Sequence, residues 1–378
     1  MSQIVRVEVG RYDYDFAGEF KFFKPGPDGR VHRPSILVRL TDEDGVQGWG
    51  QAVPIPTWTY ETPESVETTL RHYLAKAILG ADPADMRSIH HRMQYAIKPG
   101  FSTGQPLCKA AIDLACYDLT GKRNRQNVAD TLGGAKRESL TLSWTINSMS
   151  MSGVEGQLAE GQARGYRNYN IKVGLPQTPE YDLELARTVH DFAPQGFLWA
   201  DANTGYTIES ALEILPRLAD CGVEVMESPL PPNQIRGYQA LKRQGALPIF
   251  MDEGVISPVE ATEFIALEML DGFTLKPARC AGLWYSQQII NLARQHNLAL
   301  LGSGLTDPDL SLAAALHLYA WAGLEKPCAL NGPQYLVESL CAKEFKPQGD
   351  VFLVPTGPGL GLDMGNCTEG MLSIAAEM

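Results

Sequence analysis

The sequence predicts an α/β barrel of the TIM type joined to a smaller α+β domain. Two observations support this fold class. After residue 138, short apolar segments alternate with helical ones. Eight such units in about 200 residues fit a closed parallel barrel better than an open sheet. Before that point the order differs, because antiparallel strands come first and helices follow them.

The first 53 residues have the alternating pattern of an antiparallel sheet. Asp44-Gly45 lies between two apolar runs, which is a strong signal for a β-hairpin. Residues 18–34 are rich in Gly, Pro, Phe and basic residues and predict a long loop, a type of segment that often carries function. From 63 to 125 the apolar residues recur at helical spacing.

The barrel strands are predicted from the short apolar segments, with a helix between each pair. The candidate strands are 140–147, 169–174, 197–203, 223–228, 248–254, 272–277, 298–304 and 328–333. The last segment, GDVFLVPTGPGLGLD, is extended and rich in Gly and Pro, and we expect it to return to the N-terminal domain.

Composition excludes several classes of partner. The formal net charge is −12, from 44 acidic residues against 32 Lys and Arg, which argues against nucleic acid and anionic membranes. There is no apolar run of ~18 residues, and the N-terminus lacks the features of a signal peptide. The cysteines are scattered without a CxxC pair and predict reduced thiols in a cytoplasmic protein. They are Cys108, Cys116, Cys221, Cys280, Cys328, Cys341 and Cys367.

Five consecutive predicted strands each end in an ionisable residue. In chain order these are Lys172, Asp201, Glu227, Asp252 and Lys276, separated by 24 to 29 residues, close to one strand–helix unit each. Barrel enzymes carry their catalytic groups at the C-terminal ends of the strands. A single such residue would more often end a strand and meet solvent, but five in this order indicate a common site.

This order of residues indicates a defined chemistry. Three carboxylates at one barrel mouth repel each other unless a cation lies between them, and oxygen ligands suit Mg²⁺ first and Mn²⁺ second. A metal that holds a substrate carboxylate stabilises an enolate, while a lysine removes the α-proton. Burial beside a cation would lower the pKa of such a lysine towards neutrality.

These residues lie in sequence blocks that resemble the enolase superfamily, specifically its mandelate racemase and muconate-lactonizing-enzyme group. The resemblance covers nearly the whole chain, in family order. The blocks are GVQGWG, KAAIDLACYDLTGK, NIKVG, DAN, MESP, MDEG, LKPARCAGL and VPTGPGLGLD. Any one of these blocks alone would be weak evidence for the family, but together they are highly specific for it.

The resemblance implies a fold and a set of roles. The fold would be an α+β capping domain over a modified (β/α)7β barrel, with the capping domain at 1–130, completed by 345–378, and the barrel at 131–344. Mg²⁺ would be bound by Asp201, Glu227 and Asp252, with Lys172 and Lys276 as acid/base groups on opposite faces of the substrate. Two further residues are candidates for orienting ligand or metal, namely Asn203 in the DxN pattern and, more weakly, Glu253.

The chain departs from the family pattern at two places. Many members with a lysine on each side carry Lys-x-Lys on the second strand, whereas here Asn170 precedes Lys172, so a hydrogen-bonding amide replaces a cation. On strand seven, where relatives often place a glutamate, the candidates to stand in are Thr306, Asp307 and Asp309. The alternative is a polar turn in which Asp309 caps the next helix.

Substrate specificity is expected from two capping loops. They mix aromatic and basic groups, which suits closure over an apolar or anionic part of a substrate, or they are ordinary exposed loops. The residues are Phe20, Lys21, Phe22, Phe23, Lys24 and Arg33 in the first loop, and Trp58 and Tyr60 in the second. Arg279 either reaches a substrate carboxylate or is solvated. His317 is expected to pack in a helix and not to take part in catalysis.

The leading functional hypothesis is a racemase or epimerase acting α to the carboxylate of a small molecule. A dehydratase of a hydroxy acid or acid sugar, or a cycloisomerase, would use the same enolate. Two alternatives from other classes are a metal-free aldolase with a Schiff-base lysine and a non-catalytic barrel with a binding role. The group usually assembles as dimers or octamers, so a homo-oligomer is expected.

Overall fold

The N-terminal sheet is antiparallel and is completed by the C-terminus of the chain. The computed structural model describes residues 2–100, 102–365, 368 and 370–378, so Cys367 lies outside the described residues. The strand order is β13-β1-β2-β3, and the hairpin between β2 and β3 turns at Gly45, where φ is +81°. The strands are β1 (Ile4–Asp15), β2 (His32–Asp42), β3 (Gln47–Ala52) and β13 (Ser373–Glu377).

Helices cover one face of this sheet. The bounds are α1 (Pro63–Thr69), a π-helical turn (Leu70–Leu74), α2 (Ala75–Ile78), α3 (Met86–Ala96), α4 (Pro106–Asn124) and α5 (Val128–Thr131). Helix α4 packs directly on β3. A Cβ at Gly50 would lie 1.9 Å from the carbonyl oxygen of Ala111, so only glycine permits this approach. The predicted order of sheet and then helices is confirmed.

The second domain is a parallel sheet whose strands alternate with helices. The seven strands run in chain order across the sheet, from β5 to β11. They are β5 (Trp144–Ile146), β6 (Tyr169–Lys172), β7 (Leu198–Asp201), β8 (Val225–Glu227), β9 (Ile249–Met251), β10 (Gly272–Leu275) and β11 (Ala299–Gly302). Helices follow as α6 (Met151–Ala163), α7 (Pro179–Phe192), α8 (Ile208–Asp220), α9 (Ile235–Gln244), α10 (Pro258–Ala266), α11 (Leu283–Gln295), α12 (Asp309–Ala322) and α13 (Gly332–Tyr335).

The predicted eighth strand is reduced to isolated bridges. Cys328 pairs with Leu142 beside β5, and Ala329 pairs with Ser303 beside β11, so the segment 328–329 links both edges of the sheet. The curled parallel sheet with its capping domain confirms the predicted modified TIM barrel. The expected strand at 328–333 was too long, because α13 begins at 332. Pro333 lies at the start of this helix, where proline is tolerated.

The segment 349–363 returns to the N-terminal domain only in its later part, where Gly359 pairs with Asn127. Strand β12 (Val351–Leu353) pairs with β4 (Ser139–Thr141), and β13 pairs with β1. The proposed division into 1–130 with 345–378, and 131–344, stays a prediction. In the described part of the chain, no helix has the length and apolar character that crossing a membrane requires.

Candidate active site

The five ionisable residues lie together at the C-terminal edge of the parallel sheet. Lys172 is in register with Asp201, and Asp201 with Glu227, so these three end adjacent strands β6, β7 and β8 side by side. Asp252 and Lys276 each follow the last residue of their strands, β9 and β10, by one position. All five side chains are buried. The ends of parallel strands meet at one edge, which is why the spacing in sequence predicts this cluster.

Each of the two lysines is paired with a carboxylate. Lys172 Nζ lies 2.5 Å from Asp201 Oδ2. Lys276 Nζ donates to Asp252 and lies 3.7 Å from Glu227 Oε1. In the sheet, β7, β8 and β9 separate the strands that carry the two lysines, so the lysines lie on opposite sides of the acids.

The carboxylates experience different electrostatic surroundings. Burial, with the negative charges of Asp201 and Asp252, raises the pKa of Glu227 well above its usual range. Burial also acts to raise the pKa of Asp252, but the adjacent Arg279 and Lys276 hold it at about 2. A buried carboxyl between two others therefore needs a further positive charge to stay ionised.

The donor set fits a hard divalent cation. Among the described residues, no three Asp, Glu, His or Cys side chains are close enough together to form a metal site. Asp201 and Asp252 pair instead with lysines and with Arg279. Glu227 Oε1 is buried and accepts no hydrogen bond from any described residue. Asp201, Glu227 and Asp252 thus present carboxylate oxygens, one of them without a hydrogen-bond donor, at three neighbouring strand ends. Mg²⁺ and Mn²⁺ prefer such oxygen ligands.

Asn203 connects the acids of two strands. It adopts φ of +44°, and its backbone N–H donates to Asp201 Oδ1 at 2.8 Å. Its side-chain nitrogen donates to Asp201 Oδ2 and to Glu253 Oε1, both at 2.9 Å. Asn203 Oδ1 and Glu253 Oε2 are buried without hydrogen bonds to the described residues. Asn203 therefore orients Asp201 directly.

Asn170 lies on the same strand as Lys172 and two residues before it. Its Oδ1 accepts hydrogen bonds from Ser143 Oγ at 3.0 Å and from Thr145 Oγ1 at 3.1 Å. The side chain is buried and carries no charge. Both hydroxyl donors lie in or beside the first strand of the barrel, β5, so Asn170 is tied to that side of the sheet.

The two capping loops bring aromatic rings to the lysines. Phe20 and Trp58 are buried, and their ring centroids lie 5.7 Å apart. The Phe20 ring lies 5.8 Å from Lys172 Nζ, and the Trp58 ring lies 5.2 Å from Lys276 Nζ. Tyr60 is 47 % exposed, and its hydroxyl donates to the carbonyl oxygen of Glu253 on the barrel. The interpretation of these loops as ordinary exposed segments is wrong for Phe20 and Trp58.

Arg279 is buried and not solvated. It is 0 % exposed, pairs with the second oxygen of Asp252, and lies 5.9 Å from the Trp58 ring. Its Nε and Nη2 atoms form no hydrogen bond with the described residues. The sequence alone left solvation open, because residues that follow a strand are often exposed. Arg279 therefore lies at the site, beside Asp252.

After strand β11, Thr306 and Asp307 are both buried, and Asp307 interacts electrostatically with Lys276 and Arg279, whereas Asp309 contacts other segments. Burial raises the pKa of Asp307 to about 6, although Arg33, Lys276 and Arg279 oppose the shift. Thr306 has φ of +56°, and its hydroxyl is buried without a hydrogen bond to the described residues.

Asp309 is the first residue of α12 and not its cap, which is Pro308. Its carboxylate accepts from Tyr14, Ser339 and Leu340 instead. The expectation that Asp309 caps the helix is therefore wrong, because its carboxylate is engaged by donors from outside the helix.

Two cations from the N-terminal part of the chain, Lys21 and Arg33, lie close to the barrel. The prediction that both belong to the first loop is wrong for Arg33, which is the second residue of β2. Arg33 is buried, and its guanidinium donates to the carbonyl oxygens of Val53, Leu305 and Thr306. Lys21 is half-buried, whereas Lys24 is exposed. No local motif marks Lys21 or Arg33, since their surroundings come from segments far away in sequence.

An α+β cap over a parallel barrel, with lysines and acids at the strand ends, defines an enolase-type enzyme. Residues 28–133 match the "Mandelate racemase / muconate lactonizing enzyme, N-terminal domain" and 154–366 the "Enolase C-terminal domain-like" family. The chain belongs to the mandelate racemase/muconate lactonizing enzyme family of the enolase superfamily. Enzymes of this family depend on a divalent metal.

Individual relatives are isomerases. The chain is 29 % identical to a chloromuconate cycloisomerase of Cupriavidus necator, covering 88 % of this chain and 90 % of the relative. It is 25 % identical to the N-succinyl-L-Arg/Lys racemase of Bacillus cereus, covering 91 % and 92 %. The crystal structure of 2-chloromuconate cycloisomerase from Rhodococcus opacus 1CP superposes with a TM-score of 0.86 at 27 % identity, covering 97 % of both chains. An isomerase is therefore supported.

Proposed function

We propose that this protein is a racemase or epimerase that abstracts the proton α to a carboxylate of a small molecule. The observation that carries the proposal is the placement of Lys172 and Lys276 on opposite sides of three buried carboxylates. Two bases that face each other allow a proton to leave one face of a carbon and return to the other. A single base returns it to the same face.

The acids have a separate role in this proposal. Asp201, Glu227 and Asp252 hold a divalent ion, with Mg²⁺ as the first choice and Mn²⁺ as the second. When bound, such an ion stabilises the enolate charge that develops on the substrate carboxylate. Asn203 keeps Asp201 oriented through the backbone and side-chain hydrogen bonds that it donates.

The lysines move the proton and the cap controls access. Each lysine ammonium lies under an aromatic ring, Phe20 over Lys172 and Trp58 over Lys276. These rings exclude water from the lysines and place an apolar wall against the substrate. Arg279 pairs with Asp252 and keeps that carboxylate ionised.

Exchange of the α-proton in D₂O tests the two-base version. We expect the wild-type protein with Mg²⁺ to exchange the α-proton of both enantiomers of a substrate. Proton NMR measures this exchange as the loss of the α-proton signal. N-succinyl-arginine and N-succinyl-lysine are the first compounds to screen, because a relative is named for them. Lys172→Ala should abolish exchange with one enantiomer and Lys276→Ala with the other. Lys346→Ala, at an exposed lysine, is the control. Exchange with both enantiomers in the Lys276→Ala protein would rule out the two-base version.

A cycloisomerase is the second candidate, because chloromuconate cycloisomerases are relatives at 28 % and 29 % identity. It would use the same enolate with one lysine as the acid and the other as a stabilising cation. Incubation with cis,cis-muconate and loss of its ultraviolet absorption tests this reaction. Appearance of a keto acid from a hydroxy acid or acid sugar in a parallel incubation tests the dehydratase alternative.

A further inference from the structure

Lys21 differs from the three cations of the barrel site in having no anionic partner among the described residues. Lys172, Lys276 and Arg279 each pair with a carboxylate. Lys21 Nζ lies 5.1 Å from the centroid of the Phe22 ring, and it forms no hydrogen bond or ion pair with the described residues. A half-buried ammonium held against a ring retains its capacity to bind an anion.

The surroundings of Lys21 place it near the Lys172 end of the site. Burial lowers the pKa of Lys21 to about 8, while the charge of Asp201 raises it and that of Lys172 lowers it. Glu253 and Asp182 contribute more weakly to its pKa. The preceding residue, Phe20, has its ring over Lys172, so the loop brings Lys21 to the same side of the barrel mouth.

The barrel itself supplies little positive charge at this side. Lys172 is engaged by Asp201 at 2.5 Å, and the residue two positions earlier on the strand is the neutral Asn170. Residues i and i+2 of a strand share a face, so Asn170 lies on the same face as Lys172 and about 6–7 Å deeper. Its Oδ1 is occupied by Ser143 and Thr145. Apart from the metal ion of the proposed function, a carboxylate bound beside Lys172 would therefore find a further cation only on the capping loop.

We propose that Lys21 is a substrate-binding residue whose ammonium donates to a carboxylate oxygen of the substrate on the Lys172 side of the site. The capping loop thereby supplies from above the positive charge that strand β6 does not supply at position 170. The inference rests on the proposed function, in which the reacting carbon carries a carboxylate.

Binding of a simple carboxylate tests the proposal without any turnover. The probe is phenylacetate, a monocarboxylate with an apolar tail, and its neutral counterpart is phenylacetamide. Dissociation constants are measured by NMR titration in Mg²⁺ buffer. We expect Lys21→Met to weaken phenylacetate binding about tenfold or more, the usual effect of losing a charge-assisted hydrogen bond. Binding of phenylacetamide should not change. Lys21→Arg should retain most of the affinity, and Lys24→Met, on the exposed part of the same loop, should retain all of it.

A double variant that moves the positive charge from the loop to strand β6 provides a second test. In the Lys21→Met protein, Asn170→Lys places an ammonium on the same strand face as Lys172, and we expect it to recover much of the lost affinity. Circular dichroism establishes that each variant is folded. Unchanged phenylacetate binding in folded Lys21→Met overturns the proposal. Loss confined to probes that carry a second carboxylate, such as phenylsuccinate, also overturns it, because Lys21 would then bind a distal group.

The two proposals fail in distinguishable ways. If phenylacetate binding depends on Lys21 but no candidate substrate exchanges an α-proton, the inference holds and the proposed function fails. If the wild-type protein exchanges α-protons and Lys21→Met binds phenylacetate as the wild type does, the proposed function holds and the inference fails.

Discussion

The ring of Phe20 lies 5.8 Å from the ammonium nitrogen of Lys172. Phe20 comes from a loop of the N-terminal domain, and Lys172 ends a strand of the barrel. The contact therefore crosses the domain boundary at the point where the chemistry is proposed to occur. Trp58 repeats this relationship at Lys276. The cap is part of the site's electrostatics as well as its cover.

We expect Phe20→Leu to lower kcat/KM about threefold to tenfold, the range of a partly desolvated cation–π contact. Leucine keeps the site apolar but lacks the negative ring face that stabilises the Lys172 ammonium. The measurement is steady-state kinetics on whichever substrate shows exchange. Phe192→Leu, at a residue 39 % exposed on α7, is the matched control. Equal losses in the two variants would show that the Phe20 ring has no specific role.

Mg²⁺ should stabilise the wild-type protein and not Glu227→Gln. Glu227 is buried between two other acids, so a divalent ion relieves repulsion that the folded chain otherwise bears. At 100 times the dissociation constant, a ligand adds about 2.7 kcal/mol to stability, which corresponds to several degrees in Tm. Thermal unfolding with Mg²⁺ and with EDTA measures the effect, and Glu213→Gln on the exposed face of α8 is the control.

The effect of Glu227→Gln on protein stability should change sign when Mg²⁺ is present. In EDTA the variant should be at least as stable as the wild type, because glutamine carries no charge, and burial and the neighbouring acids disfavour a charge at this position. In Mg²⁺ it should be the less stable protein. A variant that Mg²⁺ stabilises as strongly as the wild type would exclude Glu227 from the metal site.

The strand-end cluster was predictable from sequence because its geometry is local and repetitive. Lys172, Asp201 and Glu227 each end a strand, and parallel strands align their ends, so spacing alone brings them together. The positions of Lys21 and Arg33 were not predictable in this way. Lys21 lies in the loop between β1 and β2, and Arg33 lies at the start of β2. Both approach the barrel from the N-terminal domain, and no periodicity encodes contacts between domains.

Other misses have equally specific causes. The segment 328–333 has the apolar start of a strand, but only two bridges form before Gly332 and Pro333 begin a helical turn. From sequence, Arg279 could either be solvated or reach a substrate. It is buried because it pairs with Asp252 and because the Trp58 ring lies over it. Pairing partners of this kind come from three different elements and leave no pattern in the sequence.

Arg33→Met should destabilise the protein by about 3 kcal/mol or more, because several buried carbonyl oxygens would lose their donor. The guanidinium donates to Val53 at 2.8 Å, Leu305 at 2.9 Å and Thr306 at 3.2 Å, and so joins the second capping loop to the end of strand β11. The check is the shift of Tm, with Arg30→Met as control, at an exposed arginine in the loop that precedes β2. A shift no larger than that of Arg30→Met would contradict a structural role for Arg33.

His317 should make the protein less stable as the pH falls from 6.5 towards 4. Burial lowers the pKa of His317 to about 4, although the backbone contact at Leu360 and the charge of Asp130 oppose the shift. The backbone N–H of Ala129 donates to Nδ1 at 3.4 Å, while Nε2 lies 3.2 Å from the Leu360 carbonyl oxygen. The folded state thus holds the neutral ring, whose Nδ1 must stay unprotonated to accept. The prediction that this residue packs within a helix is confirmed by its full burial.

The sign of the pH effect follows from proton uptake. Above pH 6.5 the ring is neutral in both the folded and unfolded states and its full contribution to stability is present. Between pH 6.5 and 4 only the unfolded state binds the proton, so the free energy of unfolding falls by up to about 3 kcal/mol. Tm measured from pH 7.5 to 4.5 should therefore decline less steeply in His317→Gln than in the wild type. His91→Gln, at an exposed histidine of α3, should keep the wild-type slope. Parallel curves for His317→Gln and the wild type would mean that His317 titrates alike in both states, and that burial and the Ala129 contact do not select the neutral ring.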